Sequence, residues 1–111
     1  MISIVLALML LAAPVKDNST AARLDYSRCL TAFLKTSLKS DIAPEAFDTA
    51  VAAACTPTEQ AFKRALIASD RARGFSLASS EEGAVLQIDD ILLNTKELFR
   101  AYRSTNSLPS D

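Results

Sequence analysis

Histidine and tryptophan are both absent from this chain of 111 residues, and glycine occurs only twice. Histidine is the commonest general base and a frequent ligand of metal ions, so its absence excludes Ser-His-Asp and Cys-His catalysis. Two glycines cannot build a glycine-rich phosphate loop, so no nucleotide site of the common kinds is indicated. The composition therefore predicts a protein that is not an enzyme and that uses no cofactor or metal ion.

Charge is missing from the first thirteen residues, MISIVLALMLLAA, and every charged side chain follows Pro14. An apolar run of this length is typical of a secretory signal, whereas a membrane-spanning helix needs roughly 20 apolar residues. We therefore predict a signal peptide over residues 1–22, cleaved at Ala21 or Ala22, a periplasmic or secreted protein, and no membrane span in the mature chain. The alternative is an N-terminal helix buried in a cytosolic protein.

Cysteine occurs only at positions 29 and 55, a spacing far from the C-x-x-C motif of redox catalysts. In an exported protein a structural disulfide between Cys29 and Cys55 is favoured over two buried thiols, because disulfides persist in oxidising compartments. A redox switch is the functional alternative.

Helical periodicity runs through the chain, while the alternation typical of strands is scarce. The predicted fold class is all-α, a small helical bundle built on a disulfide-linked helical hairpin plus one long C-terminal helix. This domain covers residues 23–104 and is followed by a flexible tail at 105–111. The predicted helices cover about 21–40, 44–54, 57–73 and 80–103. Their apolar faces contain Tyr26, Cys29, Leu30, Phe33, Leu34, Ser37, Leu38, Phe47, Val51, Cys55, Phe62, Leu66, Val85, Ile88, Ile91, Leu92, Thr95, Leu98, Phe99 and Tyr102.

Local signals place the helix starts. Pro44 suits the first position of the second helix, where its missing N–H has no partner to lose. Thr56-Pro57-Thr58-Glu59 has the form of a capping box, in which the Thr56 hydroxyl accepts from the Glu59 amide. Ser79-Ser80-Glu81-Glu82 is a second possible capping box, ahead of the last helix.

The two cysteines are expected to meet across the hairpin. In antiparallel helices, residues equally distant from the turn lie at the same height, because each helix rises about 1.5 Å per residue. Ile42 lies at the centre of the predicted turn and midway between Cys29 and Cys55. Closing a loop of this size contributes about 3.5 kcal/mol.

Leu86 and Leu93 fall beside the main apolar face of the last helix, and with Ile67 they widen the apolar surface. One interpretation is an exposed groove for a protein partner or a second copy. The other is that they meet the connecting segment near Phe75 and Leu77. Four cations make the third helix locally basic, but the carboxylates among them and the net charge of −1 argue against nucleic-acid binding.

The stretches YSRCLTAFLKTSLKS and APEAFDTAVAAACTPTEQAFKRALI resemble small, uncharacterised exported proteins of Gram-negative bacteria that carry one cysteine in each of two helices. Ala54-Cys55-Thr56 and Phe62-Lys63 are also similar to stretches of the periplasmic acid-stress chaperones of the HdeA type. The first resemblance implies a helical protein and brings no assigned activity, and the second implies a small helical fold with one disulfide.

Three hypotheses about function follow, of which the third is an enzyme or enzyme accessory that uses carboxylates. The first is a non-catalytic periplasmic interaction or structural module. The second is an acid-stress chaperone, since protonation of the carboxylates would leave twelve positive charges largely uncompensated and loosen the helices. The partner and the oligomeric state are left open.

Overall fold

A computed structural model describes residues 18–110, which form four α-helices and no strand. The helices are α1 (Ser19–Lys39), α2 (Pro44–Ala54), α3 (Thr56–Ala72) and α4 (Leu77–Ser104). The all-α prediction is therefore confirmed. Most of the predicted signal peptide lies outside the described residues, while its expected cleavage position falls within the first turn of α1.

The turn between α1 and α2 is closed by backbone hydrogen bonds. The amide of Asp41 donates to the Leu38 carbonyl and that of Ile42 donates to the Ser37 carbonyl. Asp41 has φ 53°, the left-handed conformation that commonly ends a helix. Pro44 then occupies the start of α2, as the sequence predicts.

Only Cys55 separates α2 from α3, with φ −124° and ψ 36°. The first predicted capping box is wrong, because Thr56 already belongs to α3 and the Glu59 amide donates to the Cys55 carbonyl at 2.9 Å. The Thr56 hydroxyl instead donates back to the carbonyl of Ala53. Because the chain never becomes extended here, α2 and α3 together form one rod with a break at Cys55.

The second predicted capping box is also displaced. Ser76 has an extended backbone, and its hydroxyl oxygen accepts from the Ser79 amide at 3.1 Å, so it is Ser76 that caps α4. Helix α4 consequently begins at Leu77, and Ser79 and Ser80 lie in its first turn.

The bundle consists of three rods: α1, the broken rod of α2 and α3, and α4. The broken rod runs antiparallel to α1, and α4 returns antiparallel to the broken rod, so that α1 and α4 point in the same direction. Rings hold the rods together at two levels, with Tyr26 against Phe62 at 6.0 Å and Phe47 stacked on Phe99 at 4.1 Å between centroids. The buried apolar core consists of Tyr26, Leu30, Leu34, Phe47, Val51, Cys55, Phe62, Ala84, Ile88 and Phe99.

The buried face of α4 differs from the prediction near its start. Val85 is 43% exposed, whereas Ser80 and Ala84 are buried. Small side chains allow the first turns of α4 to approach α3, and a Cβ added at Gly83 would lie 4.0 Å from a carboxylate oxygen of Asp70. Burial of Ser80 leaves no unpaired hydroxyl, because its Oγ donates to the Ser76 carbonyl at 2.8 Å.

Candidate functional site

A disulfide joins Cys29 of α1 to Cys55 at the break of the second rod, with the two Cα atoms 6.0 Å apart. This confirms the pairing expected from the equal distance of the two cysteines from Ile42. Cys55 is only 2% exposed, while Cys29 is half-buried. The bond fixes α1 to the broken rod, and residues Ser19–Ala72 are called the stapled hairpin below.

The C-terminal part of α4 is attached to the stapled hairpin by two ion pairs. The Arg100 guanidinium donates to both carboxylate oxygens of Asp48, at 2.9 and 2.8 Å. Arg103 contacts Asp41 at 2.8 Å and also donates to the Ile42 carbonyl at 2.9 Å. The hydrogen bond from Arg100 holds the pKa of the Asp48 carboxyl below its ordinary value, and the same bond raises the pKa of Arg100. Asp48 and Arg100 directly follow Phe47 and Phe99, the two stacked rings of the core, in the sequence.

Neither ion pair is predicted by the sequence patterns. Asp48 and Arg100 are 52 residues apart, and helical periodicity says nothing about contacts at that separation. One signal was available. Each charged residue directly follows an aromatic residue of the core, Phe47 and Phe99, and stacking of those rings brings the neighbouring side chains to the same level.

A groove of about 450 Å³ runs between α1 and α4. Leu30, Leu34 and Ile91 line its floor. Arg23 on the α1 wall and Asp90 on the α4 wall carry opposite charges. Hydroxyl and amide side chains complete the rim: Ser27, Thr31, Gln87 and Asn94. The groove is thus apolar at its base and hydrogen-bonding at its edges.

Leu86 and Leu93 lie on the outer face of α4, where they are 59% and 57% exposed. The connecting segment does not cover them, since Phe75 and Leu77 are themselves about half-exposed. Ile67 is half-buried on α3 and is not part of this exposed leucine pair. Leu86 and Leu93 are therefore exposed, and their use as a partner surface stays a prediction.

Carboxylates flank the leucine pair on α4. Helical spacing places one pair of acids on each side of the leucines, and we call the whole set the acidic leucine row. Its members are Glu82, Leu86, Asp89, Asp90, Leu93 and Glu97, all exposed. Residues 77–95 hold four carboxylates and no lysine or arginine, so this stretch of α4 has one sign of charge.

Tyr26 is fully buried, and its hydroxyl has no hydrogen-bond partner among the described residues. Burial, followed by the negative charge of Glu59, raises the pKa of Tyr26 to about 12. A neutral hydroxyl without a partner weakens the core rather than supporting it.

Neither a metal centre nor a membrane helix is formed by residues 18–110. No group of three or more cysteine, aspartate or glutamate side chains in this range is arranged to hold a metal ion. No helix in this range combines the length and the apolar character needed to cross a bilayer. Comparisons of the chain with protein-family models, with curated proteins and with solved structures find no match.

Proposed function

We propose that this chain is an exported, non-enzymatic helical protein of the periplasm or the extracellular space. It acts as an interaction or structural module, and the acidic leucine row of α4 is its contact surface. The Cys29–Cys55 disulfide supports export, because structural disulfides persist in oxidising compartments. The uncharged run MISIVLALMLLAA at the start of the sequence supports it independently.

The exposure of Leu86 and Leu93 carries this proposal. Both side chains keep more than half of their surface in water, whereas the leucines of the apolar core are almost fully buried, as in Leu30 and Leu34 at 3% exposure each. Covering apolar surface gains about 25 cal/mol per Å², so burial of both leucines would contribute favourably to the binding of a partner. Leu86 and Leu93 lie seven residues apart on one face of α4, which is about two helical turns, so one partner surface can cover both.

Photo-crosslinking in the native host tests the surface. A photoreactive residue at position 86 should give a discrete adduct in the cell envelope, and Leu93→Lys in the same chain should abolish it. Position 108 is the matched control, because Leu108 is 49% exposed and lies outside the row. The same adducts from both positions, or none from position 86, would contradict the proposal.

Intact-mass analysis tests the compartment. Protein recovered from the envelope should lack the predicted signal peptide and should resist thiol alkylation until reductant is added. Two alkylated cysteines without reductant would contradict export to an oxidising compartment.

The Asp48–Arg100 ion pair favours a second candidate, an acid-activated chaperone. Protonation of Asp48 removes one partner of a contact that fastens α4 over the Phe47–Phe99 stack. Helix α4 then separates from α2 more easily, and the two rings become available to an unfolded client.

A client-aggregation assay tests this candidate. The protein should suppress aggregation near pH 2 to 3 and not at neutral pH. Asp48→Asn should shift the onset of suppression to higher pH, because its side chain cannot form the ion pair at any pH. Activity at neutral pH in the unmodified protein, or no activity in acid, would contradict it.

A further inference from the structure

The two cysteines of the disulfide differ in their access to solvent. Cys55 is 2% exposed, whereas Cys29 is half-buried. Cys29 lies within the continuous helix α1, and Cys55 lies at the break between α2 and α3. The bond therefore joins one residue that the protein encloses to one at the boundary with water.

The position of Cys29 on α1 shows from which side the bond can be reached. At about 100° per residue, Asp25 and Ala32 fall on one flank of Cys29. Tyr26 and Phe33 fall on the other flank. The first two residues are exposed, whereas Tyr26 is buried and Phe33 is half-buried. Cys29 thus stands at the edge of the buried face of α1, and the small side chain of Ala32 borders its open flank.

Thiol–disulfide exchange depends on this access. A thiolate attacks one sulfur atom, in line with the bond, and the other sulfur atom leaves. Attack on Cys55 requires an approach through the protein, because that residue is almost fully enclosed. Attack on Cys29 can occur over the exposed flank of α1. In the folded bundle the bond is therefore open to exchange at one of its two sulfur atoms.

We infer that Cys29 is the residue through which a thiol–disulfide oxidoreductase exchanges with this chain. The inference rests on the proposed export, because structural disulfides persist in oxidising compartments. In reduction, a thiolate of the enzyme bonds to the Cys29 Sγ, and Cys55 leaves with the electron pair of the broken bond and takes up a proton. The enzyme's second thiol then displaces Cys29, so the enzyme gains a disulfide and the chain gains two thiols. Oxidation runs the same steps in reverse, with Cys55 displacing the enzyme from Cys29.

Reduced glutathione, added to the purified, folded and oxidised protein, tests which sulfur atom is attacked. After a short reaction, acid and a maleimide stop the exchange and block free thiols, and peptide mass mapping locates both groups. We expect glutathione on Cys29 and maleimide on Cys55, in about tenfold or greater excess over the reverse arrangement. Glutathione mainly on Cys55, or equal amounts on the two cysteines, would overturn the inference.

Two alanine variants keep the test decisive if the mixed disulfide does not accumulate. Ala32→Leu adds bulk on the exposed flank of Cys29, and Ala52→Leu adds the same bulk at an exposed position three residues before Cys55. The rate of reduction by glutathione should fall about threefold or more in the first variant and stay unchanged in the second. Circular dichroism checks that both variants are folded. Equal rates in the two variants, or a slower rate for Ala52→Leu, would contradict attack at Cys29.

Failure of this inference and failure of the proposed export can be told apart. The exchange is measured on purified protein, so glutathione on Cys55 overturns the role of Cys29 and leaves export standing. Two free thiols in protein from the cell envelope contradict export, whichever sulfur atom glutathione attacks.

Discussion

The seam between α1 and the broken rod contains a covalent bond, whereas the seam that holds α4 depends on stacking and ion pairs. In the first, Cys29 is bonded to Cys55 beside the Tyr26–Phe62 contact. In the seam of α4, the Phe99 ring stacks on Phe47, and the Arg100 guanidinium donates hydrogen bonds to the Asp48 carboxylate. The difference means that the stapled hairpin and α4 respond to different chemistry. We expect reductant to weaken the first seam by breaking the disulfide, and acid to weaken the second by protonating Asp48.

Phe99→Ala should have the largest effect, since it removes a fully buried ring from the seam of α4. We expect a loss of about 3–5 kcal/mol in the free energy of unfolding, measured by urea denaturation of the oxidised protein. Phe99→Leu is the matched control and should cost clearly less. A loss under about 1 kcal/mol for the alanine variant would show that α4 is not held by this stack.

Removing the disulfide should rank next. Cys29→Ala with Cys55→Ala releases a loop with a sequence separation of 26, which corresponds to about 3.5 kcal/mol of loop-closure entropy. Urea denaturation measures the loss, and reductant should reproduce it in the unmodified protein without affecting the double variant. If stability were unchanged, the disulfide would not stabilise the seam between α1 and the broken rod.

The disulfide of the first seam could be predicted from the sequence, whereas the exact start of α3 could not. The pairing of Cys29 with Cys55 follows from equal distances to Ile42, because helical rise is uniform. The start of α3 was misplaced, since a single non-helical residue at Cys55 satisfies the Glu59 amide through its carbonyl and leaves no role for a Thr56 cap. Sequence signals for capping assume an extended residue that this chain does not have there.

The buried face of α4 also differs from the one that helical periodicity predicts. Val85 and Leu98 fit the apolar pattern but are exposed, because the rods approach through the small residues Ser80 and Ala84. The Asp48–Arg100 ion pair could not be predicted without knowing that α2 packs against α4. Periodicity identifies a face, whereas the distance between helices depends on side-chain size in both partners.

Acid should weaken the α4 seam selectively. The folded-state pKa of Asp48 is lowered by Arg100, so its contribution to stability is present above the ordinary aspartate pKa and is lost as pH falls below about 4. Asp48→Asn should flatten this part of the stability profile, measured by urea denaturation between pH 6 and 2. Asp25→Asn, at an exposed position on α1, is the control. Identical profiles for both variants would contradict a specific role for the ion pair.

Tyr26→Phe should have the smallest effect on the first seam. It removes a buried hydroxyl without a described partner, so we expect stability to be unchanged or to increase by up to about 1 kcal/mol. The pKa of Tyr26 is raised to about 12, so the unmodified protein should lose stability as pH rises from about 10 to 12. That alkaline loss should be smaller in the variant. A clear destabilisation at neutral pH would mean that the hydroxyl contributes a favourable interaction.

Native-state amide hydrogen exchange of the oxidised protein tests most directly whether α4 can separate from a stapled hairpin. Amides of α4 around Phe99 should exchange through an opening of lower free energy than amides of α1 around Leu30, although both side chains are buried. Equal protection of the two helices, unchanged when Asp48 is replaced by Asn, would contradict the account.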